Sequence, residues 1–453
     1  MKRITLLLLL VFCYSGLKAT HLYCGYISIK HLGNKECLIT IRVFTNMNSD
    51  IRFGGGTLDF GDGTNLVIPT TESTPRPDLG NGNGIASYST AHTYANLGSY
   101  LVSYREPNRM EGIVNFFNLV ETRFYTESYF TLRSNSDNYQ SPIFLTDPIF
   151  RTEPSNLFTE SMTAVDSNSY RLLHFIVTPK KERGLVVDDF RLPEKFSVNP
   201  YSGLLNWDGT FEPTNPPGAY LFAEQVLQYD QGQLIGYVIR DMTVILENVN
   251  SLAWINTNRQ LDESNRIQIP TLEKDSLKII FHSQNSLGDP GIDIYSELSN
   301  VDGVISYSLA DSTYQSPNLQ TVKAKILRLK INSLPVIDRE NPYLITVRGK
   351  AGGWEKDFSL LIYTRNINDP IITGLPKTEK GSAIKPFPNP TSKYLFIGES
   401  EGAVIYSMQG SVIAEFPAGT QELDVMELPY GVYLIVVKHL NQPNSTFRFV
   451  KQQ

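Results

Sequence analysis

The chain has 453 residues, with 40 basic and 46 acidic side chains and a formal net charge of −6. This acidic balance argues against nucleic acid as a partner, because neutralising phosphates requires clustered lysine and arginine. Short alternating runs rich in Ile, Val, Thr, Tyr and Phe recur between clusters of Gly, Pro, Asn and Asp, and long amphipathic helical patterns are almost absent. The pattern predicts an all-β protein of three or four domains, at about 100–150 residues each.

The first residues show the charged, apolar and small-residue segments of a signal peptide, in that order. Lys2 and Arg3 precede an apolar run at 6–13, and small and polar residues follow up to Ala19. The apolar run is too short to span a bilayer, which takes about 20 residues. We therefore predict that residues 1–19 are a cleaved export signal and that the mature chain has no transmembrane segment.

Cys24 and Cys37 remain after such cleavage. The chain around them reads as a β-hairpin with its turn at Gly33 and Asn34, and this pairing sets Cys24 opposite Val43. The two cysteines then lie about six strand residues, or roughly 20 Å, apart. A disulfide needs Cα atoms within about 7 Å, so we predict two free, buried thiols.

The first predicted domain, residues 20–135, contains an Asp-Phe-Gly-Asp-Gly turn within Leu58 to Thr64 and a later His-Thr-Tyr string that opens His92 to Val102. Glycines there supply positive φ, and the aspartates accept backbone N–H bonds. Both strings resemble the signature of polycystic-kidney-disease (PKD) type immunoglobulin-like domains, which implies a structural hydrogen bond for His92. The shorter string Ala19 to Leu22 resembles the N-terminus of surface proteins from gliding Bacteroidetes.

The second predicted domain, residues 136–250, carries a hairpin that leads into a tryptophan strand. Pro200 and Gly203 suit its tight turn, and Trp207 suits a buried core position. This stretch, with Pro-Gly-Ala-Tyr at 217–220, is similar to cadherin-like and immunoglobulin-like adhesive repeats. The resemblance implies a fold rather than a ligand.

The third predicted domain, residues 251–370, contains Asp-Arg-Glu and Asn-Asp strings that resemble the calcium-ligating segments of cadherins. The resemblance implies Asp338, Glu340 and Asp369 as candidate ligands, since Ca²⁺ prefers hard oxygen donors. The run Arg-Gly-Lys at 348–350 places cations where the family has further aspartates. We therefore favour a salt-bridged turn and a linker over a calcium site.

Residues 371–384 read as a linker, and residues 385–453 as a small terminal β-sandwich. Pro-Asn-Pro excludes helix and fixes a turn, while residues 432–437 read as a strand that is apolar on both faces. Strings at 386–391, 428–435 and 447–451 resemble the type A C-terminal sorting domain of type IX secretion. The residues that carry this sorting signal are Pro388, Asn389, Pro390, Gly431, Tyr433 and Lys451.

The sorting resemblance implies the type IX secretion machinery as a partner, export across the outer membrane, and removal of this domain before release or anchoring. The alternative is an ordinary terminal immunoglobulin-like domain. In either case the expected fold class is a row of tandem immunoglobulin-like β-sandwiches closed by a smaller C-terminal one.

Catalytic motifs are weak. Gly398 to Gly402 matches a nucleophile elbow, and Asp424 and His439 follow in hydrolase order, but an elbow must open a helix and residues 403–406 read as a strand. The chain contains no His-Glu-x-x-His zinc pattern and no P-loop. We predict that the protein is not an enzyme.

The expected function is non-catalytic binding outside the cell, as a secreted or surface-displayed protein for adhesion or for a protein or glycan ligand. The 24 Tyr and 23 Phe residues supply aromatic surface for such contacts. The loops Pro69–Ser89 and Asp208–Gly218 are candidate contact sites, because sandwich loops carry ligands. The alternatives are a structural subunit of an extracellular filament or gliding-motility apparatus, and an enzyme with an unrecognised active site.

Overall fold

The protein is all-β in the computed structural model. The chain divides into two units, residues 1–365 and 366–453. A 3₁₀ turn lies at Glu297–Asn300. The structure describes residues 22–50, 52–70, 77–80, 82–107, 109–110, 112–116, 123–135, 137–154, 157–208, 215–248, 253–258, 266–268, 277–284, 287–316, 320–332, 334, 342–352, 354–363, 391, 393–397, 400–407, 412–429, 431–439 and 442–451.

Eight described strands come from the first predicted domain. They are β1 Leu22–Gly33, β2 Glu36–Asn46, β3 Thr57–Asp59, β4 Asn65–Val67, β5 Asp78–Gly80, β6 Asn83–Thr93, β7 Gly98–Glu106 and β8 Phe124–Leu132. β1, β2, β6 and β5 form one sheet in that order, and the other four strands join a larger sheet. Ile39, Leu58 and Tyr94 belong to the apolar core that these strands share.

The β1–β2 hairpin forms with a register one residue away from the prediction. Cys24 pairs with Phe44 rather than with Val43. The reason is the turn, whose central residues Asn34 and Lys35 have φ of 52° and 64° and so lie one position beyond the predicted turn. The two thiols are free and buried, as predicted. Burial raises the pKa of both thiols, which keeps them protonated and unreactive.

In the second predicted domain, eleven strands lie within the described ranges. They are β9 Ile143–Phe144, β10 Ile149–Thr152, β11 Leu157–Ser161, β12 Ala164–Val165, β13 Arg171–Val177, β14 Lys180–Glu182, β15 Leu185–Val186, β16 Phe196–Val198, β17 Leu204–Asp208, β18 Gly218–Asp230 and β19 Gln233–Leu246. β8 hydrogen-bonds to β19, so one sheet with the order β13-β18-β19-β8-β7-β3-β4 runs through both regions, and β10 adds to β19. The limits 20–135 and 136–250 stay predictions. The sheet that β8 and β19 share crosses the limit between them.

The tryptophan hairpin of the second region has the predicted turn. The side chain of Asn199 accepts hydrogen bonds from the N–H groups of Tyr201 and Ser202 at 3.0 Å. Gly203 has φ +66°, and a Cβ there would lie 2.7 Å from the ring of His174. The strand that follows buries Trp207, which is 1% exposed.

The described part of the third predicted domain contains eight strands. They are β20 Ala253–Thr257, β21 Arg266–Gln268, β22 Leu277–Gln284, β23 Gly291–Ser296, β24 Ile305–Gln315, β25 Thr321–Ile331, β26 Tyr343–Ala351 and β27 Trp354–Tyr363. They form two four-stranded sheets, β20-β22-β25-β24 and β21-β27-β26-β23. Ile279, Leu327 and Val347 lie in the core between the sheets.

The C-terminal unit has six described strands. They are β28 Tyr394–Phe396, β29 Ala403–Ser407, β30 Val412–Phe416, β31 Glu422–Asp424, β32 Gly431–His439 and β33 Gln442–Lys451. β28 pairs with β31, and the remaining strands form a sheet with the order β30-β29-β32-β33. Leu395, Ile405 and Ile435 are fully buried in the core of this unit.

Candidate functional site in the C-terminal unit

The three strings of the predicted sorting signal meet at the end of β33. Lys451 pairs with Gly431, the first residue of β32, and Thr391 forms a parallel bridge to the same Lys451. Thr391 directly follows the Pro-Asn-Pro string at 388–390, which lies outside the described residues. The fold therefore brings the end of β33, the start of β32 and the residue after Pro-Asn-Pro to one end of one sheet.

Tyr433 fixes the start of β32. Its hydroxyl donates to the carbonyl oxygen of Pro429 at 2.7 Å, and its ring stacks on Phe449 with centroids 5.5 Å apart. The ring is 7% exposed, so it belongs to the core and not to an open surface. A tyrosine that hydrogen-bonds to the backbone a few residues upstream is a corner device of immunoglobulin-like sandwiches.

The same corner recurs twice in the first unit. The hydroxyl of Tyr100 donates to the carbonyl of Asn96 at 2.6 Å, and that of Tyr220 donates to the carbonyl of Pro216 at 2.8 Å. Each of the three tyrosines follows a glycine by two positions at the start of a long strand. The sequence carries this repeated Gly-x-Tyr signal at 98–100, 218–220 and 431–433.

β32 has apolar residues on both faces, as predicted, but the two faces are not equally buried. Tyr433, Ile435 and Val437 are buried, whereas Leu434 and Val436 are half-buried. β32 lies between β29 and β33, and only one face of that sheet packs on the core. The second face keeps apolar side chains partly open to solvent.

The nucleophile-like string has a structural explanation. Ser400 donates its hydroxyl hydrogen to the carbonyl of Thr420 at 3.0 Å and accepts from the N–H of Gly402 at 3.3 Å. The next residues form β29, a strand, so the helix that an elbow requires is not present there. Ser400 closes a turn.

The PKD-like strings of the first unit also meet in space. The ring of His92 stacks on Phe60 with centroids 3.9 Å apart, and its Nε2 lies 2.7 Å from Oδ2 of Asp62. The hydroxyl of Tyr94 donates to the carbonyl of Phe60 at 3.0 Å. The geometry gives His92 the structural hydrogen bond that the resemblance implied.

The calcium candidates Asp338, Glu340 and Asp369 lie outside the described residues. Across the described ranges, no group of three or more His, Cys, Asp or Glu side chains is placed to hold a metal ion. Arg348, one of the cations that disfavour calcium in the sequence, is buried and ion-paired with Asp357 at 2.8 Å. Its charge is satisfied by protein carboxylates.

The two candidate contact loops are described only in part. Pro69–Ser89 was predicted as a loop, but residues 78–80 and 83–89 belong to strands β5 and β6, which pair through Asp78 and Gly84. In Asp208–Gly218 it gives Asp208 and the residues from Asn215 onward. Their assignment as ligand contacts stays a prediction.

Comparisons with known proteins add one informative match. No curated protein matches the chain. The solved ectodomain of human desmocollin-1 is similar over 87% of this chain and 74% of its own, at 10% identity and a TM-score of 0.19, a score that carries no structural argument. Within the described ranges, no helix is long and apolar enough to cross a membrane. Residues 385–452 match the family model of the secretion system C-terminal sorting domain, which indicates export to the cell surface or secretion.

Proposed function

We propose that this protein is a non-catalytic, modular binding protein that type IX secretion exports, and that it mediates adhesion or binds a protein or glycan ligand outside the cell. The match of residues 385–452 to the sorting-domain family carries the proposal. The convergence of Thr391, Gly431 and Lys451 supports it, because the motif strings then form one feature that a receptor can recognise.

The binding part of the proposal rests on the first unit. Its second and third regions are joined by buried polar contacts between β11, the loop after it and the β26–β27 hairpin. The N–H of Ser161 donates to Asp357 at 2.7 Å, and the hydroxyl of Thr163 donates to Thr346 at 2.8 Å. Such contacts have fixed geometry, so they suit a rigid scaffold that presents surfaces and loops to a ligand.

A reporter fusion tests the sorting proposal. Residues 371–453 are joined to the C-terminus of a soluble reporter that carries a signal peptide, and the fusion is expressed in a bacterium with a type IX system. We expect the reporter on the cell surface or in the medium. The control fusion ends at residue 384 and should stay in the periplasm. Equal export of the two fusions would remove the main support for the proposal.

One observation favours the alternative of a filament subunit. β24 is an edge strand of eleven residues without a bulge, proline or lysine, the features that protect many edges from pairing. Tyr307 and Leu309 on this strand are 59% and 46% exposed. Light scattering after size-exclusion chromatography separates the two functions. A concentration-dependent polymer favours the filament subunit, and a stable monomer favours the binding protein.

A further inference from the structure

The outer face of the sheet β20-β22-β25-β24 combines aromatic and basic side chains. Leu327 and Leu329 of β25 point into the core, so the even-numbered residues of that strand point to the opposite face. The register places Trp254, His282 and Ala324 side by side across three strands of this face. This surface, called here the outer face, also carries Tyr314 of β24.

Tyr314 provides a flat ring on the outer face. Its hydroxyl lies 3.0 Å from Nδ1 of His282, two strands away, a distance of about 10 Å between strand axes. The ring must therefore cross β25. Val322, the ladder partner of Tyr314, and Ala324 lie along this path, and they are 1% and 3% exposed although they point away from the core, which coverage by the ring explains. Tyr314 itself remains 39% exposed, so one face of its ring rests on the sheet and the other meets solvent.

His282 lies between the rings of Trp254 and Tyr314 and contacts both. Its ring stacks on Trp254 with centroids 4.8 Å apart and planes 10° apart, and its Nε2 lies 3.4 Å from the amide nitrogen of Asn256. A separation close to the strand spacing means that the two rings stand upright on adjacent strands. Trp254 and His282 thus form a wall beside the flat ring of Tyr314.

The basic residues of β25 differ between its two faces. Lys323 and Lys325 point to the core side, and each has an acidic partner, Asp289 and Asp311 respectively. Arg328 and Lys330 point to the outer face and are exposed. Lys278 on β22 pairs with Arg328 in the ladder and lies on the same face.

Acidic residues are missing from the described positions of the outer face. The even-numbered residues of β24 are Ser306, Ser308, Ala310, Ser312 and Tyr314. No described carboxylate forms an ion pair with the three outer-face cations. The face therefore runs from an aromatic platform, along β25 for about 13 Å, to a cluster of positive charge.

We propose that the outer face binds an acidic polysaccharide along β25, a step that rests on the proposed extracellular binding function and names its ligand class. A sugar ring stacks its C–H face on Tyr314 beside the wall formed by Trp254 and His282. Carboxylates of sugar residues further along the polysaccharide form charge-assisted hydrogen bonds with Arg328 and Lys330. A polysaccharide suits the site because one chain spans both ends of it, whereas a compact ligand contacts only one end.

Titration calorimetry of the purified protein with polygalacturonate, and with neutral dextran of matched length, tests the proposal. We expect binding to polygalacturonate that weakens with added salt, and no binding to dextran. Tyr314→Ala should lower the affinity about tenfold or more, whereas Tyr314→Phe, which keeps the ring, should change it about twofold. The double variant Arg328→Gln with Lys330→Gln should also lower it about tenfold and flatten the salt dependence.

The matched control is Lys323→Gln with Lys325→Gln, which removes the same charge from the opposite face of the same strand. It should leave the affinity within about twofold, because its side chains point away from the ligand. Equal losses in the two double variants would overturn the site and indicate nonspecific charge attraction. No binding of polygalacturonate by a protein that the cell exports normally would overturn the ligand class and leave the proposed function standing. Circular dichroism confirms that each variant is folded.

Discussion

Arg348 shows how one side chain joins distant parts of the first unit. Its guanidinium donates two hydrogen bonds to Asp357 and one to Glu355, each at 2.8 Å, and lies 3.9 Å from Glu160. Burial raises the pKa of Glu160 well above its usual range, and neither of its carboxylate oxygens has a hydrogen-bond partner. The sequence predicted a salt-bridged turn at the Asp-Arg-Glu string and assigned no partner to Arg348 itself. It did not predict these partners, because Glu160 lies on a strand far away in the chain.

Replacing Arg348 with Met should lower the free energy of unfolding by about 3–5 kcal/mol, because buried carboxylates would lose their compensating charge. Denaturant unfolding of the full chain measures the change. Arg105→Met is the control. Its partner Glu182 lies 3.4 Å away and both side chains are about half exposed, so the expected loss is about 0–1 kcal/mol. Similar losses in the two variants would contradict the view that burial makes the Arg348 pair important.

His282 should make the stability depend on pH. Burial lowers the pKa of His282 below its ordinary value of 6.5, so folding favours the neutral ring. This contribution is fully present above pH 6.5 and is lost as the pH falls from 6.5 towards the folded-state pKa. Its described neighbours Trp254, Asn256 and Tyr314 are uncharged near neutral pH. Melting curves at pH 7.5 and pH 5.5 should therefore differ less in His282→Gln than in the parent, and an unchanged difference would exclude His282 as a cause.

At the scale of elements, local patterns predicted the turns and strands well. The Asn199 turn and the buried Trp207 follow from residues close together in the chain. The pairing of β8 with β19 does not, because the two strands lie far apart in the chain and no local signal selects either as the neighbour of the other. In the C-terminal unit, the meeting of Thr391 with Lys451 depends on a similar long-range pairing. Sequence reasoning thus found the motif residues but not their convergence.

The tyrosine corners make a test at the same scale. Tyr433→Phe removes the hydroxyl bond to Pro429 while keeping the ring, so the opening free energy of β32 amides should fall by about 1 kcal/mol. Hydrogen exchange of the full chain measures this strand by strand. Tyr220→Phe is the reciprocal control and should affect β18 without changing β32. A loss spread evenly over both strands in either variant would contradict a local role for the corners.

At the scale of the whole molecule, the chain combines a large all-β unit with a small C-terminal one. The strings that predicted a sorting domain lie within the stretch that matches the family, residues 385–452. The all-β fold and the C-terminal match followed from the sequence because turn chemistry, strand alternation and motif spacing are local. The proposed ligand site did not, since the outer face assembles Trp254, His282 and Tyr314 from three strands.

Export of the full chain with and without residues 385–453 tests the central claim most directly. The measurement is the intact mass of the protein recovered from the medium, the cell surface and the periplasm of a bacterium with type IX secretion. We predict that the full chain appears outside the cell and is trimmed near residues 374–385, while the shortened chain stays in the periplasm. Equal export of both chains without trimming would contradict the claim, because residues 385–453 would then be only a further β-sandwich.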